Sequence, residues 1–170
     1  VPGFMIAAMI RRLLVTWQHP ENALFDEGAI LINHHGQRFC DETSWPDREI
    51  AVAAQPNKEC FILLDQRLTQ RYSQWPNFVS TAPKIAYAYV ADYIRLRPDI
   101  AVEASDLDAL ARRRGIPPAS LRSTVSDVNA ERAAADGKPL AGNRWVLLGP
   151  ARPCFTTTEG GAAINQQFQT

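Results

Sequence analysis

The segment at residues 28–42, GAILINHHGQRFCDE, constrains the fold most strongly. Its apolar run at 29–32 is followed by a polar, glycine-containing segment at 34–37, which is the pattern of a strand, a tight turn and a second strand over residues 38–40. A short continuous apolar run indicates a strand that is buried on both faces. We therefore expect a hairpin here, with chemistry in the polar and aromatic residues that follow at 41–48.

Length and charge limit the classes of protein and partner. The chain has 170 residues, 46% of them hydrophobic, which suits either one globular domain of ordinary size or one full domain with segments of another, and it is long enough to bury a core. Its 18 basic and 18 acidic residues cancel, so no basic surface for nucleic acid or an anionic membrane is expected. The apolar stretch at residues 1–10 is too short to span a bilayer and lacks the flanks of a signal peptide. Because the sequence begins with valine and in mid-pattern, we expect a piece of a longer protein.

The cysteines and histidines give no metal-binding pattern. Cys40, Cys60 and Cys154 are far apart in sequence and form no CxxC pair, which is typical of reduced cysteines in a cytoplasmic protein. His34 and His35 lie in the predicted turn with no carboxylate at a metal-ligand offset, which favours a solvated turn. We therefore expect no metal site and a cytoplasmic location.

Other patterns place further elements along the chain. Residues 4–14 predict a short helix, 13–17 a strand, 47–54 two helical turns, and 59–65 a strand closed by an acid. The aromatic-rich segment 66–98 fits either core and lid packing or a ligand-facing pocket.

The second half of the chain shows the clearest helices. Residues 105–115 predict a helix capped by Ser105 and ended by a glycine, and residues 118–135 predict a second helix after a short turn. Residues 145–148 and 153–158 predict strands, with a turn at Gly149-Pro150. Together these elements predict an α+β fold: a small mixed sheet from segments near 28, 59, 100, 145 and 154, covered by the helical hairpin.

Common catalytic and nucleotide-binding motifs are missing from the sequence. It contains no GxGxxG or GxxxxGK[ST] loop, no GxSxG elbow and no HExxH pair. His19, alone before a proline, fits a structural or a catalytic role, and Gly160-Gly161 fits either a close approach to a flat ligand or a plain turn.

Four segments, in order, resemble the flavoprotein family of fumarate reductases, succinate dehydrogenases and 3-ketosteroid dehydrogenases. Residues 28–42 resemble that family's G-x-I/L-V-N-x-x-G-K/R-R-F-x-N/D-E motif, and residues 61–65, FILLD, resemble its next strand. Residues 104–129 are similar to its helical hairpin ADTLEELAKKLGIDPAALKATVERYN. Residues 157–165, TTEGGAAIN, resemble its H/T-T-x-G-G-L-x-I-D return into the flavin domain.

The resemblance implies a domain organisation. It identifies residues 28–158 as a substrate-capping domain, residues 1–27 as a junction from a missing FAD-binding domain, and residues 159–170 as the return toward that domain. The partners implied are the FAD-binding domain of the same polypeptide and a small-molecule substrate. This fragment alone is then expected neither to hold FAD nor to turn over.

The activity implied is that of an FAD-dependent oxidoreductase, with hydride exchange between flavin and a carbon–carbon bond activated by a carbonyl or carboxylate. Fumarate reductase or succinate dehydrogenase chemistry is one form of it. The alternatives are a 3-ketosteroid dehydrogenase-like enzyme acting on an apolar enone, and a non-catalytic binding module that retains the cap fold.

The resemblance also suggests site residues. The reductases donate a proton from the arginine of a Thr-Thr-Arg-Asp segment, whereas residues 44–47 here are Ser-Trp-Pro-Asp, with Arg48 two positions beyond that register. His19 matches a substrate-facing His-Pro pair, so Arg48 and His19 are the catalytic candidates, and alanine at either is expected to lower turnover far more than stability. Arg38 and Glu42 are expected to be structural partners. The remaining candidates are, for substrate, Trp45, Thr157 and Thr158 and, for the cofactor, Gly160 and Gly161.

Overall fold

A computed structural model describes residues 2–17, 20–82 and 86–154. Its helices and strands follow one another in the order α1 (Gly3–Trp17), α2 (Ala23–Asp26), β1 (Ile30–Ile32), α3 (Asp47–Ala53), β2 (Cys60–Leu64), α4 (Gln66–Arg71), β3 (Val79–Ala82), β4 (Ala86–Ala88), α5 (Val90–Leu96), β5 (Ala101–Ala104), α6 (Leu107–Arg113), α7 (Pro118–Ala134) and β6 (Trp145–Ala151). The predicted α+β fold is confirmed.

A four-stranded sheet with the order β1-β2-β6-β5 forms the centre of the domain. Its three strand pairings are all antiparallel. The sequence had predicted a mixed sheet, and this part of the prediction is wrong. Every residue of β1 and β2 is buried, which confirms the expectation from the apolar run at 29–32. Helix α6 packs on β5 and β6 and pairs with α7, so the predicted helical hairpin does cover the sheet.

The second arm of the predicted hairpin is not a strand. Arg38 makes a single bridge to Ile32, and the chain then turns away. The Asn33 side-chain oxygen accepts hydrogen bonds from the backbone N–H groups of His35 (2.9 Å) and Gln37 (3.1 Å), which fixes the turn locally. The side chain of Arg38 is directed toward Glu42, at 2.7 Å, so the polar contacts of this segment take the place of a strand pairing.

Helix α1 continues through the segment that the sequence predicted as a strand, residues 13–17. Leu14 and Val15 are buried, and the backbone carbonyls of both accept hydrogen bonds from α5 and the residue after it, Tyr93 Oη at 3.3 Å and Arg97 Nη1 at 2.7 Å. These contacts satisfy carbonyls that a helix end leaves without partners, so tertiary packing overrides the local strand preference.

Strand β6 likewise continues through Gly149-Pro150, where the sequence predicted a turn. Gly149 has a φ of +143°, and a Cβ at this position would lie 2.8 Å from the carbonyl oxygen of Cys60. The pairing of β2 with β6 shifts register at this point, between Cys60 and Ile62. The glycine therefore permits the close approach of a bulged strand and does not end it. Residues 153 and 154 form no strand, and the rest of the predicted strand at 153–158 lies outside the described residues.

Helix α6 begins one residue later than the sequence predicted, because its N-cap is Asp106 and not Ser105. The Asp106 carboxylate accepts a hydrogen bond of 2.7 Å from the backbone N–H of Ala109. This contact holds the pKa of Asp106 below its ordinary value.

We expect Asp106→Ala to lower the free energy of unfolding by about 1 kcal/mol, because an orphan N–H of the first turn loses its acceptor. Ser105→Ala is the matched control and should change it by less than about 0.3 kcal/mol, since the Ser105 hydroxyl bonds only the Asp106 side chain. Urea denaturation of both variants measures the difference. A larger loss of unfolding free energy in Ser105→Ala than in Asp106→Ala would show that Ser105 is the N-cap.

Candidate functional site

A cleft of about 340 Å³ opens beside β2 and the end of β6, between α2 and α3. Its walls are mainly apolar and aromatic, with a few polar groups among them, which is the composition of many small-molecule sites. It is lined by Pro20, Asn22, Phe25, Leu31, Trp45, Arg48, Glu49, Val52, Cys60, Ile62, Ala151, Arg152, Pro153 and Cys154.

Helix α3 places Arg48 in this cleft. The helix begins at Asp47, directly after Pro46, and the Asp47 carboxylate accepts a hydrogen bond of 2.9 Å from the Ser44 hydroxyl. The backbone N–H of Arg48 donates to the Ser44 carbonyl at 2.7 Å. Arg48 and Val52 are four residues apart, so they share one helix face, and both are buried.

The guanidinium of Arg48 is held from several sides. Nη1 donates to the Glu42 carbonyl oxygen at 3.0 Å, Nη2 to Asn22 Oδ1 at 2.9 Å, and Nε to Glu49 Oε1 at 3.1 Å. Its central carbon lies 4.4 Å from the centroid of the Phe25 ring, a cation–π contact. With all three nitrogens bonded inside the protein, Arg48 is part of a fixed wall and is not a free cation.

The second cation at the cleft is also paired. Arg152 donates to Glu59 Oε1 at 3.0 Å from Nε and at 2.5 Å from Nη2, and His34 Nε2 lies 3.2 Å from the other oxygen of the same carboxylate. The bonds from Arg152 hold the pKa of Glu59 below its ordinary value. The cleft therefore contains two arginines whose charges are already balanced by neighbouring carboxylates.

Trp45 provides an exposed apolar surface at the cleft. It is 61% exposed, and it belongs to the segment 44–47 where the sequence departs from the reductases. An aromatic ring left open to solvent beside an apolar cleft is suited to pack against a flat or apolar ligand.

The cysteines of the domain are free, as the sequence predicted. Cys60 lines the cleft and is buried, and burial raises the pKa of its thiol to about 12. Burial also raises the pKa of Cys40 to about 12. Since the thiolate is the reactive form, neither thiol is a nucleophile at neutral pH.

The structure brings together only some of the residues predicted for the site. Arg48 and Trp45 line one cleft, whereas His19, Thr157, Thr158, Gly160 and Gly161 lie outside the described residues. Pro20 and Cys154 line the cleft at the two points where the described chain resumes and ends.

Sequence reasoning missed several lining residues, notably Asn22, Phe25 and Arg152. Only Asn22 had a local signal, since it follows the His-Pro pair closely; the other two reach the cleft through the tertiary packing of α2 and β6. The expected structural pair is confirmed, because Glu42 accepts hydrogen bonds from Arg38 Nε at 3.0 Å and Nη2 at 2.7 Å.

The part of the chain that the structure describes contains neither a metal-binding cluster nor a helix that could span a membrane. Within residues 2–17, 20–82 and 86–154, no cluster of three or more histidine, cysteine, aspartate or glutamate side chains is arranged to hold a metal ion. Over the same residues, no helix combines the length and the apolar character needed to cross a bilayer.

Several solved structures have a fold similar to that of this chain. No protein-family model and no curated protein matches the sequence. Among solved structures, an open conformation of a flavocytochrome c3 fumarate reductase is similar at a TM-score of 0.59 and 21% identity, with 78% of this chain and 24% of that chain covered. The 3-ketosteroid-Δ4-(5α)-dehydrogenase of Rhodococcus jostii, solved with 4-androstene-3,17-dione, is similar at a TM-score of 0.50 and 20% identity. The match covers 77% of this chain and 27% of that chain.

A shorter structure matches over nearly its whole length. The fumarate reductase flavoprotein subunit of Lactobacillus plantarum, solved by NMR in solution, is similar at a TM-score of 0.52 and 17% identity, with 81% of this chain and 91% of that chain covered. The present chain thus spans about a quarter of the first two proteins and most of the third. It has an α+β fold that recurs in fumarate reductase and 3-ketosteroid dehydrogenase flavoproteins, and the resemblance found in the sequence is confirmed at the level of the fold.

Proposed function

We propose that this chain is the substrate-capping part of an FAD-dependent oxidoreductase. The observation that carries the proposal is the cleft beside Arg48 and Trp45, which lies in a fold shared with fumarate reductase and 3-ketosteroid dehydrogenase flavoproteins. In such an enzyme the cap covers the substrate, excludes water and fixes the reacting bond in position. FAD, when bound by the complete protein, supplies hydride transfer.

The described residues do not fit FAD as a resident group. The sequence has no glycine-rich phosphate loop, which is the feature that holds the pyrophosphate of a dinucleotide. FAD is therefore assigned to another domain of the same polypeptide, and the domain bounds 1–27, 28–158 and 159–170 are part of this proposal. The exposed apolar side chains of Met5, Ile6 and Met9 on α1 support this assignment, because a second domain could pack against them.

Within this proposal the residues have different roles. Trp45 packs against the substrate. Arg48 holds the side chains of Asn22 and Glu49 in position at the cleft through its hydrogen bonds to them. By resemblance alone, His19 is proposed as a catalytic residue, Thr157 and Thr158 as substrate-binding residues, and Gly160 and Gly161 as residues that bind the cofactor.

The charges in the cleft favour an uncharged, carbonyl-activated substrate over a dicarboxylate. A dicarboxylate needs cations that are free to pair with it, and Arg48 and Arg152 are already paired with Glu49 and Glu59. An apolar enone instead requires apolar walls and one or two polar contacts, which the cleft provides. Fumarate reductase-like chemistry and a non-catalytic module that retains the cap fold are the alternatives.

A substrate screen tests the proposal. The protein from the complete reading frame should contain flavin, and a 3-keto steroid should change its flavin absorbance under anaerobic conditions while fumarate and succinate do not. The 170-residue chain alone should be colourless. Flavin bound tightly by the short chain, or a response to fumarate or succinate but not to the steroid, would contradict the corresponding part of the proposal. A complete protein without flavin would favour the binding module.

Trp45 offers a matched test of the cleft itself. Trp45→Ala in the complete protein should raise KM for the apolar substrate about tenfold, because a large contact surface is lost. Trp75→Ala is the control, since Trp75 is similarly exposed, at 63%, but does not line the cleft. The Trp75→Ala enzyme should have the same KM as the unsubstituted protein. Equal effects of the two substitutions would remove Trp45 from the site.

A further inference from the structure

A second, larger cleft, of about 730 Å³, lies away from the candidate site, where the connection between α2 and β1 meets α4 and the end of α7. Its charged lining comprises four cations and two carboxylates, an excess of two positive charges. These side chains are Arg67, Arg71, Arg132, Lys138, Asp26 and Glu27.

Of these four cations, Arg71 alone forms an ion pair with another side chain that the structure describes. Arg71 Nε donates to Glu27 Oε1 at 2.7 Å. Arg67 Nη2 donates to the Glu27 carbonyl oxygen at 2.7 Å, and Arg132 Nη2 donates to the Gly28 carbonyl oxygen at 2.8 Å. Carbonyl groups orient these two guanidiniums and carry no net charge to balance them. Among the described side chains, Arg67, Arg132 and Lys138 form no ion pair.

The backbone at Gly28 is adapted to this arrangement. Gly28 has a φ of +109°, and a Cβ there would lie 3.1 Å from Arg132 Nη1, so glycine lets the guanidinium lie flat against the chain. Burial lowers the pKa of Arg132; the nearby carboxylates of Glu42 and Asp65 oppose this shift, and repulsion from Arg38 and Arg67 adds to it. Cations that are held in position, form no ion pair with a described side chain and outnumber the carboxylates of the cleft favour the binding of an anion.

We propose that this cleft binds a small oxyanion with two negative charges, such as a phosphate group or a dicarboxylate. Two guanidiniums oriented by neighbouring carbonyls present N–H groups to such a ligand, and Lys138 adds a flexible third donor. The site is separate from the cleft beside Trp45 and does not depend on the proposed flavin reaction.

Thermal unfolding with added anions tests the site in the 170-residue chain. Sodium phosphate should raise Tm saturably above the value in sodium chloride of equal ionic strength, because a ligand that binds only the folded state stabilises it. A parallel titration with malonate distinguishes the sources: a response to phosphate alone indicates a phosphate group, and a response to malonate indicates a carboxylate ligand. If neither anion exceeds chloride, the proposal is overturned.

Two substitutions with the same charge change locate the effect. Lys138→Gln should weaken phosphate or malonate binding by about three- to tenfold, the effect of removing one charged contact. Lys58→Gln is the matched control, because Lys58 is also exposed and lies in a different cleft. Equal weakening by both would show a general charge effect and overturn the proposal. Arg67→Gln combined with Arg132→Gln should abolish the response, and Lys138→Gln alone decides the outcome if that double variant does not fold.

Discussion

Replacing Glu42 with alanine is expected to lower the free energy of unfolding by about 2–4 kcal/mol, because a buried backbone N–H loses its acceptor and Arg38 loses its buried carboxylate partner. Glu42 is 3% exposed, and its Oε1 accepts a hydrogen bond of 2.9 Å from the backbone N–H of Leu31, in the middle of β1. The same carboxylate holds Arg38 through Nε and Nη2. Its removal leaves the strand N–H of Leu31 without an acceptor, and it leaves the half-buried guanidinium of Arg38 with the exposed Glu131 as its remaining ion-pair partner among the described residues.

Urea denaturation measures this loss, and Glu131→Ala is a matched control. Glu131 bonds the same arginine at 3.0 Å, but its side chain is 66% exposed, so its removal should cost less than about 0.5 kcal/mol. Glu42→Gln should fall between the two, because the amide oxygen can still accept from Leu31 while the amide NH2 group cannot accept from Arg38. If Glu42→Ala costs no more than Glu131→Ala, the buried carboxylate does not stabilise β1.

Arg48→Ala is the second large expected effect, a loss of about 3 kcal/mol in the free energy of unfolding. Arg48 is 6% exposed and connects α3 to the carbonyl of Glu42 and to the side chain of Asn22, while its guanidinium covers the ring of Phe25. Alanine removes these contacts together and leaves Glu49 without its partner. The control is Arg95→Ala, whose side chain is 66% exposed and bonds Asp92 on its own helix; it should cost less than about 0.5 kcal/mol.

This expectation revises the sequence-based one, in which Arg48→Ala lowers turnover far more than stability. The contacts of Arg48 predict a loss of both. In the complete protein, turnover per folded molecule separates the two roles: a catalytic Arg48 lowers kcat at 10 °C, where the variant is still folded, whereas a purely structural Arg48 lowers only the unfolding midpoint. An unchanged kcat would remove Arg48 from the catalytic candidates and leave it as a wall of the cleft.

Elements with complete local signals were predicted well from the sequence. Helix α7 has prolines at its start and a helical spacing of apolar residues, and β2 is a short apolar run closed by Asp65, whose side chain caps α4 through Leu68 N at 2.8 Å. Such signals act within a few residues, so they can be found in the sequence alone.

The errors occur where distant contacts outweigh local preference. Residues 13–17 have a strand-like composition but stay helical, because Tyr93 and Arg97 bond the carbonyls near the end of α1. Gly149-Pro150 has turn chemistry but lies within β6, because the missing Cβ lets the strand approach Cys60. No feature of the local sequence reports partners that lie 50 or more residues away.

The sequence by itself determined the α+β class, the helical hairpin, the buried strands and the resemblance to flavoproteins, since periodicity, capping residues and motif order are local properties of the chain. Only the tertiary structure decided that Arg48 and Arg152 are ion-paired at one cleft, and that Arg67 and Arg132, which form no ion pair with a described side chain, lie together in another. The physical reason is that the balance of charge in a cleft depends on which side chains folding brings within about 4 Å of each other, and that distance is absent from the sequence.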